Sequence, residues 1–130
     1  MIAENVKKVF DENTWFIATC GEELNVVPVG FKCVTDDGKF AVGAVLLEST
    51  LANIKANGKV AIAVCGADSE SYQVKGTAEL VTDGPVFDFF KKLADDTFKG
   101  AMPAKCAVVV TPEKLLVASP NSQNKQELPL

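Results

Sequence analysis

Apolar positions along the first residues recur at helical spacing, with Ile2, Val6, Val9 and Phe10 on one side of an otherwise polar run. This spacing predicts a short opening helix that packs one face inward and ends near Glu12 or Asn13. The pattern then changes. The segments 15–20, 25–35, 39–45 and 59–65 are rich in β-branched and aromatic residues and are separated by Gly, Asp, Asn and Glu, so they read as strands. Asp36-Asp37-Gly38 marks a hairpin turn. Between the third and fourth strands, residues 49–57 form a short helix with Ser49 or Thr50 as cap, Leu51 and Ile54 inward, and Gly58 past the end. Residues 71–81 read as a long strand. Asp83-Gly84-Pro85 then opens a second clear helix whose apolar stripe is Val86, Phe89, Phe90 and Leu93. Residues 105–111 and 114–119 read as two strands joined by a Pro112-Glu113 turn, and the residues from Pro120 onward read as a loose polar tail.

Six or seven short strands with three short helices argue against a doubly wound parallel sheet and favour an antiparallel barrel or sandwich. At 130 residues the chain fits a single domain, and 48% hydrophobic with 23% charged residues is ordinary for a globular protein. No linker or repeat divides it.

Charge and composition remove several function classes. The net charge is −4, no basic cluster is present, and nucleic acid is not an expected partner. His and Arg are both absent, which takes away the usual general base, the commonest metal ligand and the forked phosphate binder. Cys20, Cys33, Cys65 and Cys106 lie apart in apolar stretches without metal or redox spacing, so they are expected to be reduced core residues, and no metal site is expected. The start lacks a signal-peptide pattern and no apolar run reaches membrane-spanning length, so the expected setting is the cytoplasm, away from membranes.

The order of elements resembles one family. Trp15-Phe16-Ile17-Ala18-Thr19 and Val26 to Phe31 come first, then Val42-Gly43-Ala44 followed by Ser49 to Ile54, then Lys59 to Val64, Gly76-Thr77-Ala78-Glu79 and Asp83-Gly84-Pro85. In that order they resemble the pyridoxamine-phosphate oxidase-like FMN-binding split β-barrels, especially the shortest members, across residues 1–119. The resemblance implies a six- to seven-stranded antiparallel Greek-key barrel, FMN as cofactor, and a homodimer with the flavin between subunits.

FMN needs a phosphate site and a slot for a flat ring with a polar edge. Ser49 and Thr50 at a helix start offer hydroxyls and free N–H groups to the phosphate, with Asn53 one turn on. By resemblance, Lys32 supplies the compensating charge that Arg would otherwise give; Lys55 and Lys75 are the alternatives. Pro28 has no N–H and Gly30 no side chain, so the stretch Val27, Pro28, Val29, Gly30, Phe31 is expected to receive the ring edge. Gly43, Ala44 and Val45 resemble the other wall, and the partner subunit is expected to add its last strands or its 102–105 loop. Trp15 is expected to be packing, outside the site.

True pyridoxamine-phosphate oxidases hold their substrate with Arg and His, so that activity is not expected here. The expected function is a flavin oxidoreductase passing electrons from a nicotinamide or another donor to a small acceptor, with no catalytic side chain. An FMN electron carrier with a protein redox partner, and a split-barrel dimer without flavin, are the alternatives.

Overall fold

The computed structural model describes all 130 residues. Its elements are α1 (Glu4–Glu12), β1 (Trp15–Thr19), β2 (Asn25–Val29), β3 (Lys32–Val34), β4 (Phe40–Ala44), α2 (Ser49–Asn57), β5 (Lys59–Cys65), a 3₁₀ turn (Ala67–Ser69), β6 (Ser71–Val81), α3 (Gly84–Phe98), β7 (Cys106–Val117) and β8 (Glu127–Leu128). All strands belong to one antiparallel sheet in the order β2-β1-β5-β6-β7-β4-β3, with β8 added to β7. The sheet curls into a half-barrel, the mainly β split-barrel architecture expected.

Alternation decides which side chains enter the barrel. On β1, Trp15, Ile17 and Thr19 are buried while Phe16 is exposed, and β5 buries Val60, Ile62 and Val64 in the same rhythm. α1 lays Val6 and Phe10 onto this interior. The Phe10 ring meets Trp15 edge-on at 5.7 Å and Phe40 at 4.9 Å, and all three are fully buried. Each such side chain contributes roughly 1.5–3 kcal/mol by leaving water, so this aromatic group fixes α1 against the barrel. On the opposite side of β4 and β7, α3 packs Phe90 against Ala41 and Ala107. Gly43 makes that approach possible, because a Cβ there would lie 2.7 Å from the Phe90 ring.

Four expectations change. The single strand over 25–35 is two strands, because the chain turns across the barrel at Gly30-Phe31. The two strands expected over 105–119 are one strand, β7, in which the ladder with β6 passes from Lys114 to Pro112 and skips Glu113. Pro112 thus marks a bulge, where its missing N–H costs no ladder bond. Of the α3 stripe, Phe90 is buried but Phe89 is 51% exposed, and Ala94 takes the next inward position. The tail folds back on β7, with Lys125 N–H donating to the Val117 carbonyl at 2.7 Å and Val117 N–H to the Gln126 carbonyl at 2.9 Å.

Candidate functional site

β2 and β3 are consecutive in the chain yet stand at opposite ends of the sheet order. Only Gly30 and Phe31 join them, so the barrel is closed there by covalent chain and by no ladder. Each strand keeps one unpaired edge at this seam. A pocket of about 270 Å³ opens beside it, lined by Pro28, Val29, Gly30 and Phe31 from one side and by Gly43 and Val45 from the other. Leu46, Leu47 and Phe98 complete the lining, and no charged side chain takes part.

Six of the expected residues therefore meet in one pocket. Val27 does not line it; its side chain packs toward the barrel core. Ala44 is fully buried behind the wall, its carbonyl accepting the Lys105 N–H at 2.7 Å. Ser49 stands exposed at the start of α2, two residues beyond the pocket residue Leu47. The first α2 bond outward is from Ala52 N–H to the Glu48 carbonyl. The N–H groups of Ser49, Thr50 and Leu51 remain free at the positive end of the helix.

Thr50, Asn53 and Lys32 are occupied elsewhere. Neither Ser49 nor Thr50 caps α2; Glu48 takes that position without a side-chain bond. Thr50 is 1% exposed, and its hydroxyl accepts from the Asn25 amide at 3.0 Å. The Asn53 amide donates to the Thr19 hydroxyl at 3.0 Å and the Glu23 carbonyl at 3.1 Å. Both side chains thus tie α2 to the β1–β2 hairpin. Lys32 is held at the far end of that hairpin. Its ammonium donates to the carbonyls of Phe10 at 2.9 Å and Asp11 at 3.1 Å, and lies 5.3 Å from the centre of the Trp15 ring. It closes the C-terminus of α1, where a cation is favoured. Thr19 lies four residues beyond Trp15 on β1, which is about 13 Å along a strand, so the structure does not bring the Lys32 ammonium to the start of α2. Burial lowers the Lys32 pKa, and the nearby Asp11 charge works against that shift.

The basic groups near the pocket are others. Lys105 is pinned beside Ala44 by its own N–H. Burial pushes the Cys106 thiol up, and the charges of Lys55 and Lys105 partly offset this. Sequence reasoning placed Lys105 only in the partner's loop. Lys75 lies on the outer face of the sheet, away from the seam, in a second hollow of about 560 Å³ with Lys59 and Leu24. Phe98 was also missed, although Phe90, Ala94 and Phe98 follow one another at four-residue spacing along α3. Its ring lies 5.8 Å from that of Phe31.

Trp15 is core, as expected, with its indole N–H donating to the Phe10 carbonyl at 2.7 Å. Among the cysteines only Cys106 is buried; Cys20 and Cys33 are half-buried and Cys65 is exposed, so the expectation of four core thiols fails: strand alternation turns Cys33 and Cys65 away from the barrel core, and Cys20 lies past the end of β1. No group of three or more Cys, Asp or Glu side chains is placed to hold a metal, and no helix is long and apolar enough to cross a membrane.

A family model described as pyridoxamine 5'-phosphate oxidase matches residues 2–118. Among solved structures, the HupZ protein of Group A Streptococcus is 25% identical, covers 99% of this chain and 100% of its own, and superposes with a TM-score of 0.81. An FMN-binding protein from Syntrophomonas wolfei is 22% identical over 89% of this chain and 85% of its own, with a TM-score of 0.77. General Stress Protein 26 from Bacillus anthracis is 15% identical over 98% of this chain and 97% of its own, with a TM-score of 0.72. No curated protein matches the chain.

Proposed function

The chain belongs to the pyridoxamine 5'-phosphate oxidase family, and on that premise we propose that it binds FMN at the seam and works as a flavin oxidoreductase. The supporting observation is the pocket itself. Its walls are apolar, it is bordered by unpaired strand edges that suit the polar rim of a flavin, and it leads through Leu47 toward the free N–H groups of α2. Ser49 lies two residues beyond Leu47, a reach of about 7 Å, which a ribityl chain spans. The residues that would hold the group are Pro28 to Phe31, Gly43 and Val45 at the ring, Leu46 and Phe98 as apolar cover, and Ser49 with the α2 amides at the phosphate. Lys105 and Lys55 replace Lys32 as the charge-compensating candidates.

When bound, FMN supplies the electron-transfer chemistry. The chain's own part is to exclude water from the ring, hold its edge by backbone groups, and set the local charge. No His or Arg is present to hold a phosphorylated pyridoxamine, so the substrate is a different small acceptor. The charge-free pocket lining also suits a non-enzymatic electron carrier, which differs by rapid exchange with a protein and no small-molecule turnover.

The proposed assembly is a homodimer through the outer face of β2, β1 and β5. There Val26, Ala18 and Ala61 form one cross-strand row and Pro28, Phe16 and Ala63 the next. Val26 is 63% and Phe16 46% exposed, an apolar surface that pairing would cover. Pro28 is both in this face and in the pocket, so the partner would stand at the rim of the site.

The deciding experiment is an FMN titration read by flavin fluorescence, on the natural chain and on a Ser49→Ala, Lys105→Ala double variant. Saturable binding that weakens about tenfold in the variant is expected from losing a charged phosphate contact. Absence of binding at micromolar FMN would refute the cofactor, and equal binding by both proteins would refute the phosphate site.

A further inference from the structure

The largest cavity shares no residue with the seam pocket. A cleft of about 590 Å³ lies among the N-terminal end of α1, the 3₁₀ turn and the segment that follows β7. Its floor is apolar, made by Val6, Leu115, Val117 and Leu128. Its walls are polar and acceptor-rich. Asp68 and Glu70 stand on one side, and the amides of Asn121, Gln123 and Gln126 come from the other.

Charge in the cleft is one-sided. No lysine side chain lines it, and neither carboxylate is in an ion pair. The one positive group at its rim is the Met1 amino group, which donates to the Leu130 carbonyl at 2.5 Å. Glu70 accepts the Tyr72 hydroxyl on one carboxylate oxygen at 2.5 Å. Its other oxygen, and the Asp68 carboxylate, make no hydrogen bond within the chain.

We infer that this cleft binds a small organic ammonium ion with an apolar body. The carboxylates and amide oxygens accept from the ammonium head, and the aliphatic floor takes the body out of water. An anion of the same size meets two unneutralised carboxylates and is rejected. A bare metal ion finds too few ligands here and leaves the apolar floor unused. A neutral molecule lacks the charge that these groups favour.

The test is a calorimetric titration of the full chain with 2-phenylethylamine as probe, compared with 2-phenylethanol and phenylacetate, which keep the ring and change the head. Single-site binding of the amine, at least about tenfold tighter than the alcohol and with no binding of the acid, is expected from charge-assisted hydrogen bonding. Asp68→Asn and Glu70→Gln together should lower the amine's affinity about tenfold and leave the alcohol's unchanged. Asn is suited to the left-handed backbone at residue 68, where φ is 57°. Should the double variant lose its near-ultraviolet circular dichroism, Glu70→Gln alone serves, because the amide oxygen still accepts from Tyr72. Equal affinity for all three probes, preference for the acid, no saturation at about 10 mM amine, or an unchanged amine affinity in folded variants would each overturn the inference.

Discussion

Tyr72 is the only tyrosine in the chain, so its ionisation can be followed in isolation by the near-ultraviolet absorbance of tyrosinate. It is 6% exposed, and its hydroxyl donates to the Glu70 carboxylate. Burial disfavours the phenolate first, and the adjacent carboxylate adds to that, so the pKa rises from its ordinary value of 10.0 to about 12. Two units correspond to about 2.7 kcal/mol of preference for the neutral form. The folded-state pKa is the higher one. That stabilisation is therefore complete below pH 10 and is lost as pH rises from about 10 to about 12. The assay is a pH-jump absorbance titration, with circular dichroism to confirm that the fold persists at each point. A midpoint near 12 is expected in the folded protein and one near 10 in denaturant. Glu70→Gln should bring the folded midpoint only part of the way back, because burial is the larger cause. A folded midpoint near 10 would refute the reasoning, and complete reversal in Glu70→Gln would refute the ranking of causes.

Lys32→Met keeps the apolar stem over Trp15 and removes the ammonium from the Phe10 and Asp11 carbonyls; a loss of about 1–2 kcal/mol in chemical denaturation is expected, with FMN affinity unchanged. Gly43→Ala places a methyl group against the Phe90 ring stem at 2.7–3.0 Å; overpacking should cost about 1–3 kcal/mol, and combination with Phe90→Leu should cost less than the sum of the two. Under the proposed assembly the natural chain is expected to sediment as a dimer, and Phe16→Lys with Val26→Lys should give a monomer by sedimentation velocity at the same concentration. Phe98→Ala removes apolar cover from the seam pocket and should weaken FMN binding while leaving the melting transition within a few degrees.

Much of the barrel was legible because strand alternation is local. Val60, Ile62 and Val64 declare their face in the sequence, and the buried set follows from period two. Boundaries set by distant partners were not legible. Nothing local in Pro112-Glu113 distinguishes a turn from a bulge; the ladder with Lys75 and Gly76 decides it. The stretch Pro28 to Phe31 was singled out for its proline and glycine, and Gly43 and Val45 by resemblance alone; the structure brings these six residues to one pocket. The phosphate end was read less well. Thr50 reads as a helix cap and Asn53 as a phosphate-side residue one turn on, yet Asn25 and Thr19, more than twenty residues away, claim both side chains. Lys32 opens β3, the second half of the segment read as one strand, and its side chain faces the C-terminal end of α1, whose carbonyls accept its hydrogen bonds.

The join at Gly30-Phe31 also bears on where the chain can be cut. The ladders run on one continuous path from β2 to β3, with β8 branching from β7, and none of them crosses this dipeptide. A circular permutant whose termini fall there keeps all of its strand pairings and gives up only the tether between the two edges. The barrel is thus topologically an open ribbon, and its closure is a matter of chain connectivity. Insertions at this one position lengthen the gap between the edges without shifting the register of any strand, so the width of the seam is free to vary independently of the sheet that supports it.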